Sequence, residues 1–158
     1  MTNKILKCAL VTGLLMSCNA DIKDDSTKMS GNKKYFDMVL ACIKQNKFTI
    51  ESTRKSFDTI AHFYKSYKDT CSSWKLNAGQ IALIFSNSKT INGIELHDYY
   101  FNLPCSYDGV ININHHRFTF TVNAGAYSTI SLFDTFICLG YVGTDKNLFV
   151  DYPSYDKK

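Results

Sequence analysis

Arg117-Phe118-Thr119-Phe120-Thr121-Val122-Asn123-Ala124-Gly125-Ala126-Tyr127 is the stretch that decides the fold class of this chain. Phe118, Phe120 and Val122 alternate with Arg117, Thr119 and Thr121. Side chains two apart share one face of a strand, so this segment reads as a strand with one buried and one wet face. The small, turn-prone residues 123–126 then reverse the chain into a second strand-like segment at 127–133. Working outward, residues 136–142 read as a further strand and 148–152 as an edge strand stopped by Pro153. In the other direction the chain is strand-like back to Ile91, with Asn92-Gly93 and Asp108-Gly109 read as turns.

The period changes in the N-terminal half. Tyr35, Phe36, Val39, Cys42 and Ile43 fall together at helical spacing, predicting a helix from about Lys34 to Asn46. A longer stripe of Phe57, Ile60, Ala61, Tyr64, Tyr67, Cys71 and Trp74 predicts a second helix, with Lys55, Lys65, Lys68 and Asp69 on its other faces. The stripe reads as core. Residues 81–85 are a short apolar run that fits either a buried strand or a helical turn. The expected fold class is α+β, with two N-terminal helices packed on an antiparallel sheet of about four to six strands.

The N-terminus carries a different pattern. Lys4 and Lys7 precede an apolar stretch from Cys8 to Met16, followed by Ser17 and Cys18. A charged start, a short apolar run and a small residue before the cut are the layout of an export signal, and the run is too short to span a bilayer. Leu15-Met16-Ser17-Cys18 resembles the lipobox of bacterial lipoproteins. That resemblance covers residues 1–25 and implies cleavage before Cys18, lipidation of its thiol and a tether outside the inner membrane. Two or three acyl chains anchor stably where one is marginal. Residues 1–17 are then signal peptide, the polar residues 18–34 a flexible tether, and 35–158 a single domain. Lys23-Asp24-Asp25 resembles the lysine-plus-two-acids signal that sends some Bacteroidota lipoproteins to the cell surface. The domain is expected in the periplasm or on that surface.

Without residues 1–17 the chain holds 16 basic and 14 acidic side chains. This is too even a balance for a typical nucleic-acid binder. Residues 33–75 hold nine basic and four acidic side chains, whereas 76–158 hold five and seven, so the first half can steer an acidic partner. Four cysteines are left for the exported domain, Cys42, Cys71, Cys105 and Cys138, and an oxidising compartment predicts two disulfides among them. If the helices form an antiparallel pair joined at 47–52, Cys42 and Cys71 stand roughly 15–20 Å apart along the axis. A bridge needs Cα atoms within about 7 Å, so helix-to-sheet pairing is favoured, each bridge contributing about 2–4 kcal/mol.

Residues for chemistry are sparse. Glu95, His97 and Asp98, with His115-His116 at an expected turn, are the right types for zinc or copper. Their spacing matches no ligand motif, and neighbours on a strand point opposite ways, so no metal and no other cofactor is expected. No GxSxG elbow, glycine-rich phosphate loop or poised carboxylate pair is present, and no catalytic residue is assigned. Tyrosine is abundant in the second half (Tyr99, Tyr100, Tyr107, Tyr127, Tyr141, Tyr152 and Tyr155), and exposed tyrosine beside asparagine and serine suits a protein or glycan contact. Two candidate binding surfaces follow: Tyr99, Tyr100 and Tyr107 on one, and Lys65, Lys68 and Lys75 on the other. In size, tether, disulfides and lack of catalytic motifs the chain resembles the layout of periplasmic immunity lipoproteins. That layout implies a non-catalytic module whose partner is a protein, such as a toxin from a neighbouring cell. The alternatives are a surface lipoprotein of glycan or nutrient uptake and a small envelope hydrolase.

Overall fold

A computed structural model of the chain describes residues 28–60, 64–133 and 135–153. Cys18, the signal segment, the lysine-acid signal at 23–25 and Tyr155 lie outside the described residues. The order is α1 (Lys28–Lys44), β1 (Phe48–Phe57), α2 (Tyr64–Ser73), α3 (Ala78–Ser86), β2 (Ser88–Thr90), α4 (Gly93–Tyr99), β3 (Cys105–Ile113), β4 (His116–Asn123), β5 (Tyr127–Leu132) and β6 (Thr135–Tyr141). The six strands form one antiparallel sheet in the order β1-β3-β4-β5-β6-β2.

The α+β class and the antiparallel sheet are therefore present, but the helices are not two N-terminal ones. Four helices are interspersed with the first two strands. The expected joint at 47–52 is the start of β1, which also takes Phe57 from the expected second helix, so that helix is cut to α2. Thr49, Ile50 and Thr53 favour an extended backbone, and among the described residues the strand has only β3 as a neighbouring strand, so most of its side chains face water and its pattern lacks a clean alternation. The antiparallel helix pair does not exist.

Other boundaries also move. α1 begins at Lys28, inside the stretch read as tether, and ends where Asn46 turns left-handed (φ 55°) and Lys47 N–H closes on Cys42 O at 2.8 Å. Residues 81–85 are helical, in α3, and Asn92-Gly93 opens a helix rather than a turn. Asn77 and Asn92 cap α3 and α4 in reciprocal boxes with Gln80 and Glu95, each closed by hydrogen bonds of 2.9 Å. Asp108-Gly109 lies within β3. A methyl group on Gly109 would strike Ser52 O and the Phe120 ring, so glycine is there for close packing beside the β1 bulge between Ile50 and Ser52. The expected edge strand at 148–152 is instead a 3₁₀ turn, Lys146–Leu148, followed by Val150 N–H donating to Ala124 O at 3.0 Å.

Phe118, Phe120 and Val122 are buried and Arg117 and Thr119 exposed, as the alternation requires. They join Val39, Cys42 and Ile43 of α1, Ile81, Ile84 and Phe85 of α3, and Ile111, Ile130, Ile137 and Leu139 of the sheet in one core. Phe85 sits edge-on to both Phe48 and Phe120, at 6.2 and 5.3 Å between centroids. The β3–β4 hairpin closes through Asn114 and His115, both left-handed (φ 50° and 65°), the sign a two-residue primed turn needs.

Candidate functional site

Cys71 of α2 is bonded to Cys105 at the head of β3, with Cα atoms 5.8 Å apart. This is a helix-to-sheet bridge. The second expected bridge is not formed: Cys42 is buried, Cys138 half-buried, and both are thiols. Burial also pushes the Cys138 thiol up from its ordinary pKa. With the disulfide, Lys55 fixes α2 from below. Its Nζ donates to Ser72 O (3.1 Å) and Trp74 O, and lies 5.2 Å from the Phe57 ring centroid. Burial, and then the nearby Lys75 charge, lower the Lys55 pKa. Trp74 completes the attachment, packing on Tyr107 at 5.1 Å and donating Nε1–H to Leu148 O at 2.9 Å.

Beside this disulfide is a cleft of about 330 Å³, walled by the end of β1 (Ser56, Phe57, Asp58), residues 102–106 and the Thr121, Asn123 and Tyr127 side chains. Asn123 is its organiser. The amide is almost wholly buried; its Oδ1 accepts from Leu103 N–H (3.1 Å) and Gly125 N–H (2.9 Å). Its Nδ2 donates to Leu103 O (2.9 Å) and Asn102 Oδ1 (3.2 Å). All four amide valences are used internally. Asn102 Oδ1 also accepts from Tyr127 O–H at 2.7 Å, so its carbonyl end takes two hydrogen bonds at the cleft wall. Burial, with the Cys138 sulfur behind it, raises the Tyr127 pKa to about 12, so the phenol stays a neutral donor.

Three exposed apolar residues lie in or next to the chain segments that wall the cleft. Phe57 is 38% exposed, Ile60 (whose N–H bonds Asp58 Oδ1 at 3.0 Å) 93%, and Phe101, next to Asn102, 61%. Gly125 allows this arrangement, because any Cβ there would collide with Phe101 O. Lys65, Lys68 and Lys75 are all exposed on α2 and just beyond it, on the element that the disulfide ties to the cleft wall.

The tyrosine surface is not assembled. Tyr99 is 51% exposed, but Tyr100 and Tyr107 are buried. Tyr100 packs against Gly140, where a Cβ would meet its hydroxyl, and Tyr107 O–H accepts from Leu76 N–H at 3.2 Å. Both serve the core because the sheet needs large rings to fill the space under α2 and α4. The helical stripe that reads as core takes in Phe57 and Ile60, but Asp58 beside them holds the backbone at the surface, whereas exposed Phe101 adjoins Tyr99 and Tyr100 in an aromatic run expected to hold some exposed residues.

The metal candidates do not converge. Glu95 is engaged in its capping box within α4, not on a strand face, and His97 Nδ1 lies 3.0 Å from Asp98 Oδ1 in the open. His115 is in a turn, while His116 packs edge-on to Tyr35 at 5.5 Å. Among the described residues no group of three or more metal-ligating side chains forms, and no helix is long and apolar enough to cross a membrane. No protein-family model, curated protein or solved structure matches the chain.

Proposed function

We propose that the chain is a lipoprotein, tethered through Cys18 outside the inner membrane, whose folded part binds a protein partner. In its most specific form the partner is an antibacterial toxin and the chain is its immunity protein. The observation that carries the reading is a preformed cleft with exposed Phe57 in its wall, exposed Ile60 and Phe101 next to its wall segments in the chain, and exposed lysines on the element that the disulfide ties to it. Apolar anchors next to a pocket, flanked by charge of one sign, are what an interface centre and its steering rim require. Phe101→Ala should weaken binding of a partner recovered from the producing organism or its competitors by about 2 kcal/mol, the loss typical of a central anchor. Lys65→Glu with Lys68→Glu should mainly slow association and reduce its salt dependence. Undiminished affinity in Phe101→Ala and Phe57→Ala together would remove the cleft from the interface.

A second reading is binding of a neutral glycan. It is favoured by the polar residues of the cleft wall, Asn102 with Ser56 and Ser106, the serines paired across β1 and β3. Calorimetric titration with neutral oligosaccharides, giving saturable heat that Asn102→Ala abolishes, would assign the cleft to sugar.

A further inference from the structure

The sheet has two ends, and they differ. β2 closes one end with only three residues, Ser88–Thr90. The other end is β1, ten residues or about 33 Å of strand, hydrogen-bonded to β3 on one side and, among the described residues, to no strand on the other. The pairing fixes which groups face out. Asp58 N–H bonds Pro104 O at 2.9 Å, and Ala124 N–H bonds Cys105 O at 3.1 Å on the far side of β3. Residues facing a partner alternate along an antiparallel strand, so Ser52, Arg54 and Ser56 spend their backbone groups on β3. The N–H and C=O of Thr53, Lys55 and Phe57 point outward.

Long open edges invite pairing, and proteins blunt them unless they are used. A hollow lies at each end of β1, on its β3 side. The cleft at Phe57 lies at one end, and an open hollow of about 560 Å³ between Lys47, Thr49, Asn112 and His115 lies at the other. The exposed charge along the edge is mostly basic, with Asp58 the acidic exception just past its end. Lys44, Lys47 and Arg54 are exposed, whereas the acidic Glu51 is engaged by Arg117 Nε (2.7 Å) and Asn112 Nδ2 (2.9 Å). Like charges placed side by side on paired strands are destabilising, which disfavours two copies meeting edge to edge and favours an acidic strand.

We propose that the outer edge of β1 takes an extended, acidic segment of the protein partner as a seventh strand of the sheet, ending beside the Phe57 cleft. The inference rests on the protein-binding reading and specifies its mode of recognition. Main-chain hydrogen bonds would supply the affinity, and the hollows and basic side chains the selectivity.

The test uses the complete chain and two synthetic decapeptides, one alternating valine with glutamate and the other valine with lysine. The glutamate peptide should bind at least about tenfold more tightly, as charge complementarity at an edge requires, and should slow amide exchange within residues 48–57. Thr53→Pro removes an outward N–H and no ladder bond, so it should abolish that protection while the protein stays folded. Should Thr53→Pro fail to fold, Lys47→Glu with Arg54→Glu replaces it and should reverse the peptide preference. Equal affinities, absent protection at β1, or wild-type binding by the folded Thr53→Pro variant would overturn the inference. So would protection of the outward amides of Thr53, Lys55 and Phe57 before peptide is added, whether from a second copy or from the chain's own N-terminal segment. None of these outcomes touches the cleft measurement with Phe101→Ala, which tests the protein-binding reading separately.

Discussion

At the scale of single residues the cleft depends on one amide. Asn123 is buried and satisfies three backbone groups and Asn102, so Asn123→Ala would strand donors and an acceptor away from water. The expected loss is about 2–4 kcal/mol in urea unfolding, since each orphaned buried group costs more than a hydrogen bond gains. An unchanged midpoint would mean that loop 101–104 is held by something else. Tyr127 gives a pH signature. Its phenol titrates near 12 in the folded chain against an ordinary value of 10.0, so between those values the unfolded chain has released a proton that the folded one keeps. Stability from this group is complete below pH 10 and is lost as the pH rises toward 12. Tyr127→Phe should flatten that alkaline decline and shrink the late phase of phenolate absorbance that Tyr127 shares with Tyr141, whose pKa burial also raises.

At the scale of elements, α2 is the least self-sufficient. Ten residues make a marginal helix in water, and its sequence YKSYKDTCSS offers few apolar anchors. The Cys71–Cys105 bond, the Lys55 Nζ bonds to Ser72 O and Trp74 O, and the Trp74 ring hold it in place. The bond closes a loop of 34 residues, and its removal in Cys71→Ala/Cys105→Ala should cost about 3–4 kcal/mol in the chain-entropy account. Amide exchange should rise first in α2, with β4 and β5 still protected; equal loosening everywhere would contradict this division. How far such elements were legible follows from their surroundings. β4 was read directly because one face is core and the other water, so its sequence shows the period. β1 was hidden because an edge strand with charged side chains shows no period, and Phe57 happened to fit a helical stripe. α4 was hidden because none of its residues is buried, leaving only the Asn92–Glu95 capping pair as a signal. The cleft was not legible at all: its walls come from three separated segments that only the sheet register brings together.

At the scale of the whole molecule we propose a tethered binding domain, with lipid at Cys18 and recognition at the edge and cleft of β1. The tether is tested by Cys18→Ser, which should abolish palmitate labelling and release the protein from membranes; retained labelling would remove the anchor. On the proposed immunity reading position matters, because a released domain would no longer meet an incoming toxin at high local concentration. The most direct measurement is survival in co-culture with a toxin-delivering neighbour. Cells lacking the gene should die there and grow normally alone. The wild-type gene should restore survival, and Phe57→Ala/Phe101→Ala should fail to do so although the protein is made and folded. Survival of the deletion strain at wild-type levels would contradict the account.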